Sequence, residues 1–185
     1  GRLDKAEYYP HSIVTPKITI VSDPYSDEEF SVSSSLERQY GEIELAGTVF
    51  QKLSPILLLL DGSVVPHGND RPSRSSPAWN RYTDVVDVFK RLFECATLLA
   101  GCIEDSRSRR FCEIIAEQVL GKIDSPRAGE LKKILAGTRD TNLLYHTLKR
   151  GERSAVFRYS KSSEEHPILS DLGEHGRHVY CFYLK

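Results

Sequence analysis

The sequence has no methionine in 185 residues, one tryptophan, and no apolar run near the length of a membrane span. No signal peptide opens it. Its first residue is glycine, so it reads as a piece of a longer protein that lacks parts of its native N- and C-termini. The four cysteines, Cys95, Cys102, Cys112 and Cys181, form no C-x-x-C pair. That argues against a zinc site or a disulfide framework and for reduced, buried thiols in a cytoplasmic protein. Neither G-x-x-x-x-G-K-[ST] nor G-x-G-x-x-G occurs, which weakens a nucleotide-binding reading. There is no internal repeat. Net charge is also scarce, at -1, which by itself indicates neither a nucleic-acid binder nor an acidic scaffold.

The sequence is 39% apolar and 28% charged, as in an ordinary globular protein, and its length suits one domain spanning 1–185. The near-zero charge hides an asymmetry: Gly101 to Lys161 carries thirteen Lys and Arg against eight Asp and Glu. That excess of five could face phosphate or belong to a solvated surface.

Residues 17–21 (KITIV) alternate like a strand, and the acidic, Ser-rich stretch after them reads as loop. Ser34 or Ser35 is placed to cap a helix from Leu36 to about Leu53. A Ser-Pro stop separates it from ILLLLDG, whose continuous apolar run predicts a strand covered on both faces. PHGNDRPSRSSPAWN reads as a mobile or partner-ordered loop. Further helices are predicted over Asp84 to Leu99, Phe111 to Val119, Ala128 to Leu135 and Thr141 to Leu148, with strands at LLAGCI and HVYCFYLK. Strand and helix alternate, so the expected class is α/β with a mainly parallel or mixed sheet.

Asp61 ends the ILLLL strand. In an open α/β sheet the carboxyl ends of strands border the ligand crevice. Asp-Gly-Ser is also ordinary turn chemistry, with Ser63 as a local acceptor. The preceding helix carries Glu42 and Glu44. The spacing of Glu42 from Ala46, Val49 and Leu53 puts it on the inward stripe, whereas an exposed pair with Arg38 is the simpler alternative. If Glu42 and Asp61 converge, two oxygen donors at a strand end suit Mg²⁺ or Mn²⁺. The next strand runs into Glu104, Asp105, Ser106, Arg107, Ser108, Arg109 and Arg110. Acidic residues there favour a helix start, while the arginines could hold a nucleic-acid backbone without reading bases.

The order of E-I-E helix, LLLLDGS, amphipathic helix, AGCIEDSRSR, DTNLLYHTLKRGERSAVF and closing YCFYL resembles the NurA nuclease family from about Arg38 to Lys185. The resemblance implies a ribonuclease H-like mixed sheet flanked by helices and a Mn²⁺-dependent (or Mg²⁺-dependent) site. It also implies single-stranded endonuclease and 5′-3′ exonuclease action on DNA. A homodimer docked on a HerA-like hexameric ATPase during double-strand break end resection would be the working form. Asp61 matches the family's second aspartate, and Glu42 or Glu44 its glutamate. LDKAEYYPH offers Asp4 for the first aspartate with its Gly and Ser replaced. The family's C-terminal histidine would lie beyond Lys185, and His166, His175 and His178 do not match it. DNA contacts are expected from Asp105, Arg107, Arg109, Arg110 and Arg153. A catalytically inactive DNA-binding scaffold on the same fold is the alternative, and GERS reads as a polar turn between a helix and the strand AVFRY rather than as a substrate contact.

Overall fold

The computed structural model describes residues 27–104 and 106–185, so the expected KITIV strand, Asp4 and Asp105 lie outside the described residues. The longest element is helix α1, Asp27–Leu53. It absorbs much of the stretch expected to be loop, and Ser34 and Ser35 sit inside it rather than at its start. Serine is a weak helix former, but Val32 and Leu36 lie one turn apart and both reach the core, which carries the helix through the polar run. The Ser35 hydroxyl, free of any capping role, donates across to Asp70 at 2.8 Å.

Helix α1 packs on helix α2, Trp79–Cys95, and this pair forms the centre of the core. Leu36, Ile43 and Ala46 of α1 face Tyr82, Val85, Val86, Phe89 and Leu92 of α2 within one buried cluster. Helix α2 begins five residues before the expected Asp84. Ser76 leads into it: its carbonyl accepts from the Trp79 amide at 3.0 Å and its hydroxyl accepts from the Ala78 amide at 3.2 Å. It stops at Cys95 because Ala96 turns extended; the chain there enters strand β2, Leu99–Cys102.

Strand β1, Leu58–Asp61, pairs in parallel with β2, from Leu58 opposite Leu99 to Asp61 opposite Cys102. Helix α2 is the crossover between them. Of the cover expected on both faces of this strand, the described residues supply one face. Leu58 is 9% exposed and joins the core, whereas Leu59 is 62% exposed. Only Leu58 to Leu60 of the apolar run lie in the strand, alternation sends Leu59 outward, and the described residues supply a layer on one face alone.

The PHGNDRPSRSSPAWN segment is held firmly, against its reading as mobile. Asp70 accepts from Ser35 and from Gln39 at 2.5 Å, both on α1. Arg71 donates to Asp171 at 2.6 Å, Tyr82 donates to the same carboxylate at 2.7 Å, and the Arg71 and Arg74 guanidinium groups lie over Trp79. Polar residues that look like solvent-facing loop in sequence are here paired across the fold.

Helix α3, Arg110–Ile114, continues as a π-helical turn over Ile115–Val119. Helices α4, Ala128–Gly137, and α5, Asp140–Thr147, follow. Strand β3, Phe157–Arg158, pairs antiparallel with β4, Tyr180–Cys181, and Arg153 bridges Leu184 beyond them. Between these strands, helix α6, Pro167–Asp171, plugs Ile168 and Leu169 into the main core. The closing strand is thus shorter than HVYCFYLK suggested. All four thiols are free, but only Cys112 is buried; Cys95 and Cys102 are exposed, which corrects their assignment to the interior. No described helix is long and apolar enough to cross a membrane.

Candidate functional site

The end of β1 is built from glycines. Gly62 follows Asp61 at φ 118°, a conformation that other residues adopt only with strain, and its amide donates to the Cys102 carbonyl at 2.8 Å. On β2, Gly101, which pairs with Leu60, has no room for a side chain: a Cβ there would lie 2.3 Å from the Gly62 carbonyl oxygen. The turn therefore rests on β2 itself. Ser63 accepts from the Val65 amide at 3.1 Å, and Val65 and Pro66 are buried, so the chain dives inward immediately after the turn. Asp61 is left exposed at the edge of this anchored corner. The turn chemistry read from the sequence is real, and it presents a carboxylate rather than hiding one.

Glu42 and Glu44 are both exposed on α1. The inward stripe of that helix runs through Leu36, Gln39, Ile43 and Ala46, and Glu42 is about 100° around from Ile43. The expected inward orientation of Glu42 is not what the helix adopts; Val49 and Leu53, used to place it, lie at the less buried end. Glu44 accepts from the Tyr40 hydroxyl at 3.3 Å, and the Tyr40 ring lies 3.8 Å from the Arg81 guanidinium. Among the described residues no three Asp, Glu, His or Cys side chains gather as a cation site. Asp61, Glu42 and Glu44 each expose carboxylate oxygens, the donor type a hard cation takes.

Beyond β2 the chain forms an arm, residues 106–110, with alternating fates. Ser108 donates its amide to the Ser106 hydroxyl at 3.3 Å, and Arg110 donates its amide to the Ser108 hydroxyl at 3.0 Å. The Ser106 carbonyl accepts from Thr141 at 3.4 Å and the Ser108 carbonyl from the Asp140 amide at 2.9 Å. The serines face inward, so Arg107 and Arg109 stand exposed. Arg109 touches the Ala136 carbonyl at 3.4 Å, and Arg110 turns back to Glu113 at 3.5 Å. Arg153 is exposed in the GERS turn and donates to the Ser154 carbonyl, while Ser154 itself is buried against Tyr183. That segment is a turn with an outward arginine.

The residue that organises the arm escaped sequence reasoning. Asp140 is completely buried. Its carboxylate accepts from the Phe111 amide at 3.0 Å, the Cys112 amide at 2.9 Å and the Tyr183 hydroxyl at 2.8 Å. A buried charge is tolerable when hydrogen-bonded to this degree, and here backbone amides at a helix start do most of the bonding. Burial, opposed by the hydrogen bond with Ser106 and reinforced by the one to Asp140, holds the Tyr183 phenol up at about 12, so it stays a donor at neutral pH. Burial and Asp140 push the Cys112 thiol to about 12 as well, which marks it as an inert core thiol. In the sequence Asp140 shows only as a residue opening DTNLL; its partners are 28 to 43 residues away.

The fold and this site define an α/β domain that presents a strand-end carboxylate on β1 and, after β2, an arginine-bearing arm. A family model described as a NurA domain matches residues 7–185, and the chain belongs to that family. No curated protein and no solved structure matches it significantly. The family is one of nucleases involved in DNA end processing.

Proposed function

We propose that the chain is a metal-dependent DNA nuclease, a single-stranded endonuclease and 5′-3′ exonuclease acting in double-strand break end resection with a HerA-type hexameric ATPase. The observation that carries this reading is Asp61, exposed at the carboxyl end of β1 on a corner fixed by Gly62 and Gly101, in a chain of the NurA family. The parallel β1–β2 pair with its α2 crossover is compatible with a ribonuclease H-like sheet.

Asp61 with Glu42 or Glu44, completed by Asp4, would hold Mn²⁺ or Mg²⁺. The metal, when bound, would polarise the scissile phosphate and lower the pKa of an attacking water. Asp61 is suited to the ligand role because the corner holds its backbone while its side chain stays in solvent. Arg107, Arg109 and Arg153 would grip phosphates by charge-assisted hydrogen bonds, without base recognition. A homodimer is the assembly proposed to dock on the ATPase.

A second reading, a DNA-binding scaffold without catalysis, is favoured by LDKAEYYPH, in which the Gly and Ser that follow the family's first aspartate are replaced. Titrating Mn²⁺ into the chain and into Asp61→Ala, with single-stranded DNA cleavage followed in both, separates the two. Metal-dependent cleavage lost in Asp61→Ala at an unchanged melting temperature is the expected result. DNA binding with no metal response in either protein would establish the scaffold.

A further inference from the structure

We infer that Asp140 and Tyr183 are positioning residues that preset the arm carrying Arg107 and Arg109 as a phosphate grip. The inference rests on the proposed DNA-binding reading and adds how the grip is held in shape. Each inward point of the arm is tied to buried Asp140 or to half-buried Thr141 and Tyr183 beside it. The Ser106 carbonyl is bound by Thr141, the Ser108 carbonyl by the Asp140 amide, and the Phe111 and Cys112 amides by the Asp140 carboxylate. Tyr183 has one hydroxyl proton, used on Asp140, so the Ser106 hydroxyl donates to Tyr183 across 3.4 Å. Alternation then leaves Arg107 and Arg109 no inward option, and both are exposed.

Two features point to phosphate as what the arm holds. The Phe111 and Cys112 amides at the start of α3 are already consumed by Asp140, so an anion here would be bound by guanidinium forks, which match phosphate geometry bidentately. In the chain the arm begins four residues after Cys102, the residue of β2 in register with Asp61. A preset arm loses less side-chain and backbone freedom on binding than a loose one, which is where the clamp would act.

The test is binding of a fluorescein-labelled single-stranded oligonucleotide by the full chain at several salt concentrations. Four proteins are compared: the unaltered chain, the Arg107→Ala/Arg109→Ala pair, Tyr183→Phe, and all three changes together. Tyr183→Phe keeps the ring packed between Phe111 and Phe157. Each phosphate contact on single-stranded DNA contributes about 0.7 to the slope of log affinity against log salt, so the arginine pair should flatten that slope by about 1.4. Tyr183→Phe alone should flatten it in the same direction. The triple variant should bind about as well as the arginine pair, because the two sets of changes act on one element. Ser106→Ala, which removes the arm's side of the contact without touching the core, should shift binding the same way should Tyr183→Phe unfold. Multiplicative losses, or an unchanged slope in folded Tyr183→Phe and Ser106→Ala, would overturn the clamp. An unaltered slope in the arginine pair would overturn the grip as well, while DNA binding elsewhere stands. Failure of the unaltered chain to bind DNA at all would instead remove the DNA reading on which the inference depends.

Discussion

Asp171 shows how a single side chain fixes a long loop. Burial alone would raise its pKa, but hydrogen bonds from Arg71 and Tyr82 outweigh that and hold the carboxyl below its usual range. Burial and the bond to Asp171 push the Tyr82 phenol upward, against a smaller opposing pull from Arg71. A depressed folded-state pKa means the unfolded chain takes up the proton first as pH falls. The stabilisation is therefore full above the ordinary aspartate value of about 4 and is lost as pH drops through the lower folded value. Urea unfolding of the unaltered chain and of Asp171→Asn should accordingly differ most near neutrality and converge as pH falls below about 4. A difference that stays constant with pH would show that the pair acts by packing alone.

At the scale of elements, the β1–β2 unit depends on backbone crossing backbone. Gly101→Ala would place a methyl 2.3 Å from the Gly62 carbonyl, and neither group is a side chain that can swing away. The expected cost is about 1–3 kcal/mol, the range for overpacking, and the corner presenting Asp61 should shift with it. Urea unfolding measures the first effect and metal-dependent cleavage the second. Stability equal to that of the unaltered chain would mean the corner has slack and does not hold Asp61. Helix α1 teaches a related lesson: its serine-rich first half is helical because one face contacts the core and one hydroxyl reaches Asp70, not because its residues favour helix.

For the molecule as a whole, the core is asymmetric about the sheet. Leu58 lies against the α1–α2 pair, while Leu59 points the other way with Ile56 and Leu57 also exposed. Leu58→Ala should cost about 2–5 kcal/mol, as for a buried leucine. Leu59→Ala should change stability by no more than about 0.5 kcal/mol, as for a surface position. Paired urea curves check both. A large loss at Leu59 would place it in contact with residues outside those described.

The sequence by itself determined the elements whose signals are local: β1 and β2 from their apolar runs, α2 from its inward stripe, α4 and α5 from helical spacing, and the Asp-Gly-Ser corner from turn chemistry. Its run of motifs also identified the family, because motif order survives where packing cannot be seen. Tertiary structure alone decided where polar residues go. Asp140, Asp171 and Asp70 look like three unremarkable carboxylates in sequence, yet each is satisfied by donors 28 or more residues distant, and the free energy of a buried or half-buried charge is set by those distant donors. The same holds for Glu42: helical periodicity gave its angle relative to neighbours, but which side of α1 faces the core was fixed by α2, and that choice left Glu42 in solvent.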